Sequence, residues 1–310
     1  MRSCTKPPPC AEATAKIEPE SGVRPRPALA IPLRPGGAVP PIACDDNDAV
    51  LAEIADAALA AGEMAMGFFR PGAETAARVD YKQGGSPVTE ADMAVDTYLR
   101  GRLCAAMPEA AWLSEETTDD LGRLDFAHVL VVDPIDGTRS FAAGDAHWAV
   151  SIALVTEGRP VVGVVHAPAI AMTFDAVRGG GARRNGARIL ASRRGVLAGA
   201  RIAGPPGFAR PLVQAAGIEL VPKIPSLACR FALAAAGDID GAIASPNAHD
   251  WDLAAVDLIL QEAGGILSGA NALPLSYNRR NPRHPALYGA GPLLHAALVA
   301  AGRRSLGHGA

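Results

Sequence analysis

The stretch that decides the reading is HVLVVDPIDGTRSF, His128 to Phe141. The run Val129 to Val132 is apolar without alternation, which predicts a strand buried on both faces. It then delivers Asp133 and Asp136, with Pro134, Gly137 and Thr138 close by. Asp-Pro and Asp-Gly are good turn dipeptides, so a plain β-turn is the competing account. Two carboxylates about 4 Å apart repel by roughly 4 kcal/mol at an effective dielectric of 20. A hard divalent cation removes that cost, since Mg²⁺ takes oxygen ligands and keeps some of its waters.

Working outward, a third acid lies in AWLSEETTDD, where Glu115 and Glu116 follow a short apolar strand just as Asp133 follows its own. If the two strands lie side by side, their C-terminal acids converge. An exposed acidic loop explains Asp119 and Asp120. The fourth acid comes from HDWDLAAVDLILQEAGG. On a helical wheel Asp257 and Gln261 each fall within about 20° of Asp250 as a polar stripe, while Asp252 lies about 200° from Asp250 on the apolar face. With Asp250 read as the cap, Asp252 is expected to have another partner. Thr89 and Asp92, in TEADMAVDTYLRGRLCAAM, have capping-box spacing, which by itself would account for both.

Four acids aimed at one place suggest a metal centre of the phosphoryl-transfer kind, with two or three ions. Gly137 and Thr138 fit as phosphate holders if their N–H groups open a helix. The absences narrow the field. There is no G-x-S-x-G, no H-E-x-x-H and no G-x-x-x-x-G-K-[ST]. The seven histidines are scattered, against zinc. The i, i+3 spacing of Asp133 and Asp136 is not the D-x-D of an aspartyl-phosphate enzyme.

Composition sets wider bounds. At 49% hydrophobic and 20% charged, the 310-residue chain is an ordinary globular sequence with a substantial core. A net charge of −3 and only short Arg pairs give no footprint for a nucleic-acid polymer or an anionic membrane. No apolar run reaches the ~18 residues of a membrane span, and no signal peptide is visible. Five widely spaced cysteines without C-x-x-C argue against a disulfide framework and fit a reduced, cytoplasmic protein.

Three segments are expected. Residues 1–44 are proline-rich and read as a disordered extension, of the sort an over-early start codon would add, in preference to a docking arm. Residues 45–190 form an α+β half with most of the acids. Residues 191–310, where alanine-rich helices alternate with short strands, form an α/β half supplying Asp252. GGGARRNG is read as a tight loop leaving a strand.

With these motifs in order, the chain resembles the inositol monophosphatase superfamily of Mg²⁺-dependent, lithium-inhibited phosphomonoesterases. GSPVTEAD, WLSEE, VVDPIDGTRSF, GGGARRNG and HDWDLAAVDLILQEAGG carry the likeness over nearly everything after residue 44. The resemblance implies a layered αβαβα sandwich with the site between its halves. It implies Glu115, Asp133 and the carbonyl of Ile135 at a first metal, and Asp133, Asp136 and Asp252 at a second. Glu115 and Thr138 would orient the attacking water, and Asp92 would support a third, weaker metal through its water shell. Gly137 and Thr138 would grip the phosphate. The substrate would be a small phosphorylated metabolite, and the family precedent, on which the sequence is silent, is a homodimer. Arg139, where inositol-type members usually have Asn, leans towards a substrate with extra phosphate such as 3′-phosphoadenosine 5′-phosphate. So does Ser245, where those members often carry a ring-binding glutamate. An inositol or histidinol phosphatase is the alternative within the class, and a metal-binding scaffold without turnover is the alternative outside it.

Overall fold

The computed structural model describes residues 42–305 apart from 83. The expected N-terminal extension lies outside the described residues up to 41. Ordered contact begins earlier than residue 45: the Ile42 N–H donates to the Ala106 carbonyl at 2.7 Å and Cys44 is buried.

Two long helices open the chain, α1 (Asn47–Phe68) and α2 (Glu90–Ala106). Between them is an antiparallel ribbon of β1 (Val79–Tyr81) and β2 (Pro87–Thr89). A seven-stranded sheet follows. In spatial order it runs β3 (Ala111–Ser114), β4 (His128–Asp136), β5 (Ala149–Thr156), β6 (Arg159–Ala167), β7 (Met172–Val177), β8 (Gly181–Arg184) and β9 (Ala187–Arg188). A short helix α3 (Thr138–Ala143) leaves β4. β3 and β4 are parallel and the remaining neighbours antiparallel. Glu157 and Gly158 turn β5 into β6 with positive φ of 48° and 75°, as the sequence suggests. GGGARRNG does more than leave a strand, because Asn185-Gly186 turns β8 back onto β9.

The second sheet is mixed and five-stranded. Its strands are β10 (Arg201–Ala203), β11 (Glu219–Leu220), β12 (Gly241–Ala244), β13 (Ile266–Gly269) and β14 (Leu287–Ala290), in the order β11-β10-β12-β14-β13. The helices here are α4 (Pro206–Ala216), α5 (Leu227–Ala235), α6 (Asp250–Glu262) and α7 (Pro292–Ser305).

Side-chain alternation in the strands separates the cores. Leu130, Val132, Val150, Ile152 and Val164 face α1 and α2. Val129, Val131, Ala153 and Val165 face the other way, against Leu253, Val256 and Ile259 of α6 and Phe231 of α5. Ala242, Leu267 and Leu287 of the second sheet close that middle core. Ile202, Ile243 and Tyr288 turn outward onto Leu212 of α4 and Leu298 of α7. The order of layers is αβαβα. Among the described residues no helix is long and apolar enough to cross a membrane. Cys44 and Cys229 are buried free thiols, but Cys104 is disulfide-bonded, against the reading of the cysteines as wholly reduced. Spacing along the chain does not reveal which cysteines meet in space.

One close approach fixes α6 on the first sheet. A Cβ on Gly163 of β6 would stand 2.8 Å from the Ala255 carbonyl oxygen and 3.0 Å from its Cα. Backbone cannot yield there as a flexible side chain would. Gly163→Ala is therefore expected to destabilise the protein by about 1–3 kcal/mol. It should also weaken divalent-cation binding, since it shifts the helix that carries Asp252. Calorimetric metal titration alongside thermal melting checks both; an unchanged metal affinity would contradict the link.

Candidate active site

The parallel register of β3 and β4 sets Ser114 against Val132, and the Glu115 N–H donates to the Val132 carbonyl at 3.2 Å. The acids after the two strands are thus neighbours, as expected. β4 continues through Asp133 to Asp136 with a register shift against β5, which leaves both aspartates on the strand end. Gly137, at φ 94°, then turns the chain into α3. α6 contributes Asp252 from the opposite side. One carboxylate oxygen from each of Asp133, Asp136 and Asp252 lies within 4.8 Å of the others.

Each carboxylate is held by at least one donor, and Asp133 is open on its other side. Asp133 Oδ1 accepts from the Ile135 N–H at 3.0 Å, whereas its Oδ2 is buried with no hydrogen-bond partner. Asp136 Oδ2 accepts from Ser226 Oγ and, at 2.6 Å, from the Ala228 N–H at the start of α5. Asp252 Oδ2 accepts from the His249 N–H at 2.7 Å. Burial raises all three pKa values, to about 6 for Asp136 despite its donors. Asp133 and Asp252 are pushed well above the carboxylate range, by burial first and by the neighbouring carboxylates next. A buried, unpartnered carboxylate oxygen is costly. Three all-oxygen donors with no thiolate or imidazole among them suit a hard cation such as Mg²⁺. The residues present fit that group.

The helix cap differs from the sequence reading. His249 is the N-cap of α6, and Asp252, not Asp250, is its capping-box partner. Capping and the site are therefore not rival explanations of Asp252, because the carboxylate that accepts from the cap N–H also lies within the acid cluster. Asp250 is buried and paired with His284 Nε2 at 2.7 Å, and Asp257 accepts from the Tyr277 hydroxyl at 2.9 Å. Asp250 and Asp257 of the polar stripe face partners on the chain between β13 and β14 and are hidden from solvent, whereas Gln261 is exposed and donates to Asp257.

The capping box of α2 is present, with Asp92 Oδ2 accepting from the Thr89 N–H at 2.7 Å and hydroxyl at 2.5 Å. Here the cap leaves an oxygen for the site: Asp92 Oδ1 is 3.1 Å from Thr138 Oγ1, which also lies 3.1 Å from the Ile135 carbonyl. Burial lifts Asp92 to about 6. Arg139 is exposed and donates to the Gly85 carbonyl at 3.3 Å, so it braces the β1–β2 turn.

Glu115 is not one of the trio, but it lies near enough for its charge to raise the pKa values of Asp133, Asp136 and Asp252. Its Oε1 is 2.8 Å from Lys82 Nζ, which reaches Glu116 at 2.7 Å as well. Burial pushes Glu116 up to about 7. Burial alone would lower the Lys82 pKa, but Glu115 and Glu116 raise it beyond the usual lysine value. Lys82 and Ser226 went unnoticed in the sequence. Lys82 sits beside the Gly-Gly-Ser-Pro turn of a motif already singled out, and a lysine in such a turn was the available signal. Ser226 offered none beyond a cap before an apolar helix.

The layered fold brings acids from the ends of two parallel strands and from one facing helix into a cluster that could hold a metal ion. The sequence profile of the inositol monophosphatase family matches residues 46–305, and the chain belongs to that family. It is a phosphoric monoester hydrolase by that kinship. It is 30% identical over 249 residues to a 3′(2′),5′-bisphosphate nucleotidase CysQ of Aggregatibacter actinomycetemcomitans, covering 74% of this chain and 88% of that one. It is 36% identical over 211 residues to a histidinol-phosphatase of Mycobacterium tuberculosis, covering 63% and 79%. Among solved structures, the extragenic suppressor protein suhB of Bartonella henselae superposes with a TM-score of 0.71 at 27% identity, covering 83% of this chain and 99% of that one. The inositol monophosphatase of Anabaena gives 0.70 at 26%, covering 83% and 96%.

Proposed function

We propose that the chain hydrolyses a small bisphosphorylated metabolite, such as 3′-phosphoadenosine 5′-phosphate, in a Mg²⁺-dependent and lithium-sensitive reaction. The observation that carries the metal dependence is the buried Asp133 Oδ2, without a partner among converging carboxylates. Asp133, Asp136 and Asp252 would hold Mg²⁺, with Glu115 and the Ile135 carbonyl completing the set for two or three ions. When bound, Mg²⁺ supplies positive charge for the phosphoryl oxygens and acidifies a nearby water.

The chain's own groups do the rest. Asp92 accepts from Thr138, which leaves the hydroxyl oxygen of Thr138 free to accept from a water and orient it. Asp92, lifted to about 6, is suited to take the proton at its Oδ1. Gly137 and Thr138 open α3, so their N–H groups face the place where a phosphate would sit. Glu115 helps to position the water once Lys82 releases it. A cytoplasmic setting and a homodimer belong to the same proposal and rest on family resemblance alone.

The bisphosphate is supported by the nucleotidase relative, whose match covers 74% of this chain against 63% for the histidinol-phosphatase, and by Ser245. The higher identity to a histidinol-phosphatase, over a shorter stretch, supports that substrate as the second reading. Phosphate release from 3′-phosphoadenosine 5′-phosphate, inositol 1-phosphate and histidinol phosphate, with Mg²⁺ and with or without lithium, tests the choice. The expected outcome is a kcat/KM at least about tenfold higher for the bisphosphate, inhibited by lithium. Preference for histidinol phosphate would move the proposal to the second reading. Inertness towards all three with Mg²⁺ still bound would favour a scaffold.

A further inference from the structure

Arg283 occupies a place that neither the motifs nor the family signatures assign. It lies on the segment between β13 and β14, where an isolated antiparallel bridge pairs it with His249. Residues directly opposite in such a bridge project to the same side, with Cβ atoms about 4.5–5.5 Å apart. His249 points to the acid centre: its Nδ1 is 3.9 Å from Asp252 Oδ2. Its ring stacks on Trp251 at 4.5 Å and 5° between planes, which makes a flat wall beside Asp252. Arg283 therefore flanks the acid centre with that wall between them. After burial, the charge of Arg283 is the next cause holding the His249 imidazole below its ordinary value, which agrees with the guanidinium standing close to it.

The segment is fixed from several directions. The Asp250 N–H donates to the Pro282 carbonyl at 2.9 Å, the His284 N–H to the Ala248 carbonyl at 2.7 Å, and the Asn247 N–H to the His284 carbonyl at 2.9 Å. His284 is locked by its buried pairing with Asp250. Buried Arg123 reaches over from the other half to the Arg279 carbonyl at 3.0 Å and Asn278 Oδ1 at 2.6 Å. Arg279 in turn donates to the Arg283 carbonyl at 2.7 Å. Arg123 and Arg279 are thus spent on holding backbone, whereas Arg280, also exposed, is not paired with His249 in the bridge. The Arg283 side chain is exposed, and among the described residues it has no ion pair or hydrogen bond. Arg139, the cation singled out in the sequence, is by contrast engaged with Gly85.

We infer that Arg283 is the specificity-determining cation of this site, binding the second, non-transferred phosphate of a bisphosphorylated substrate whose body lies along the His249–Trp251 wall. This rests on the phosphomonoesterase reading above. An unpaired guanidinium on a braced backbone segment suits a phosphate dianion, to which it can donate two parallel N–H groups.

The test compares Arg283→Met and Arg283→Lys with the unaltered chain, using adenosine 3′,5′-bisphosphate and adenosine 3′-monophosphate with Mg²⁺. Methionine keeps the apolar stem, and the position is exposed, so the fold should survive. For Arg283→Met the KM for the bisphosphate is expected to rise about tenfold, with kcat within about twofold and the monophosphate unaffected. Arg283→Lys should recover part of the loss. An unchanged ratio of kcat/KM between the two nucleotides, or an equal loss on both, would overturn the inference. If neither nucleotide is turned over, the substrate proposed above fails. Calorimetric affinities for the same pair then decide about Arg283: an Arg283-dependent preference of about tenfold for the bisphosphate upholds it, and no preference overturns it.

Discussion

Asp133→Asn is expected to lower phosphate release by about 10³-fold or more, while the metal-free protein melts at the same temperature or a higher one. The activity loss follows from removing the carboxylate at the centre of the trio. The stability result follows from its surroundings. Asparagine keeps the Oδ1 that accepts from the Ile135 N–H. At the Oδ2 position, now buried without a partner, it places the amide NH2 group facing Asp136 and Asp252. A repulsion is removed, and an N–H donor is supplied to acceptors that lack one. For a domain of this size each kcal/mol gained raises the melting temperature by about 2–4 °C. Circular dichroism melts in EDTA, paired with phosphate release in Mg²⁺, measure both halves. A lower melting temperature of the metal-free variant would mean that Asp133 is a structural acid, and the metal reading would lose its main support.

The second large effect is a coupling of pH, metal and stability. In the metal-free protein Asp133, Asp136 and Asp252 have raised pKa values, so the folded state holds protons that the unfolded state has released. The associated stability is fully present below the ordinary carboxylate value of 3.8 and is lost as pH rises through the folded values, about 6 for Asp136 and well above the ordinary value for its neighbours. For Asp136 alone the loss is on the order of 2–3 kcal/mol. In EDTA the melting temperature should therefore fall between about pH 5 and pH 7.5, by on the order of 5 °C. Saturating Mg²⁺ should restore it at pH 7.5 and do little at pH 5, where protons already occupy the carboxylates. A metal-free protein that gains stability from pH 5 to 7.5 would refute the shared origin of these shifts. Glu116, raised to about 7 and paired with Lys82, titrates in the same window, so Glu116→Gln should reduce the slope without removing it.

Much of the site was legible because its signals are local. The unalternating run Val129 to Val132 could only be a strand buried on both faces, and a strand end with two aspartates has few uses. The parallel placing of β3 beside β4 was a conditional inference, and the register bears it out. The periodicity of α6 set Asp252 apart from the polar stripe, although the cap was assigned to the wrong aspartate. One residue of error at a helix start changes which carboxylate serves the backbone, and side-chain patterns do not report backbone φ and ψ.

What the sequence by itself determined was the set of buried strands, the acids at their ends and the α6 face that carries Asp252, since these follow from alternation and helical period within single segments. Only the tertiary structure decided that Lys82 pairs with Glu115, that Arg139 is engaged with Gly85, and that Arg283 stands free beside His249. The physical reason is range. Strand and helix patterns are set by neighbours within a few residues, whereas a cation's partner depends on which distant backbone the packing brings to it.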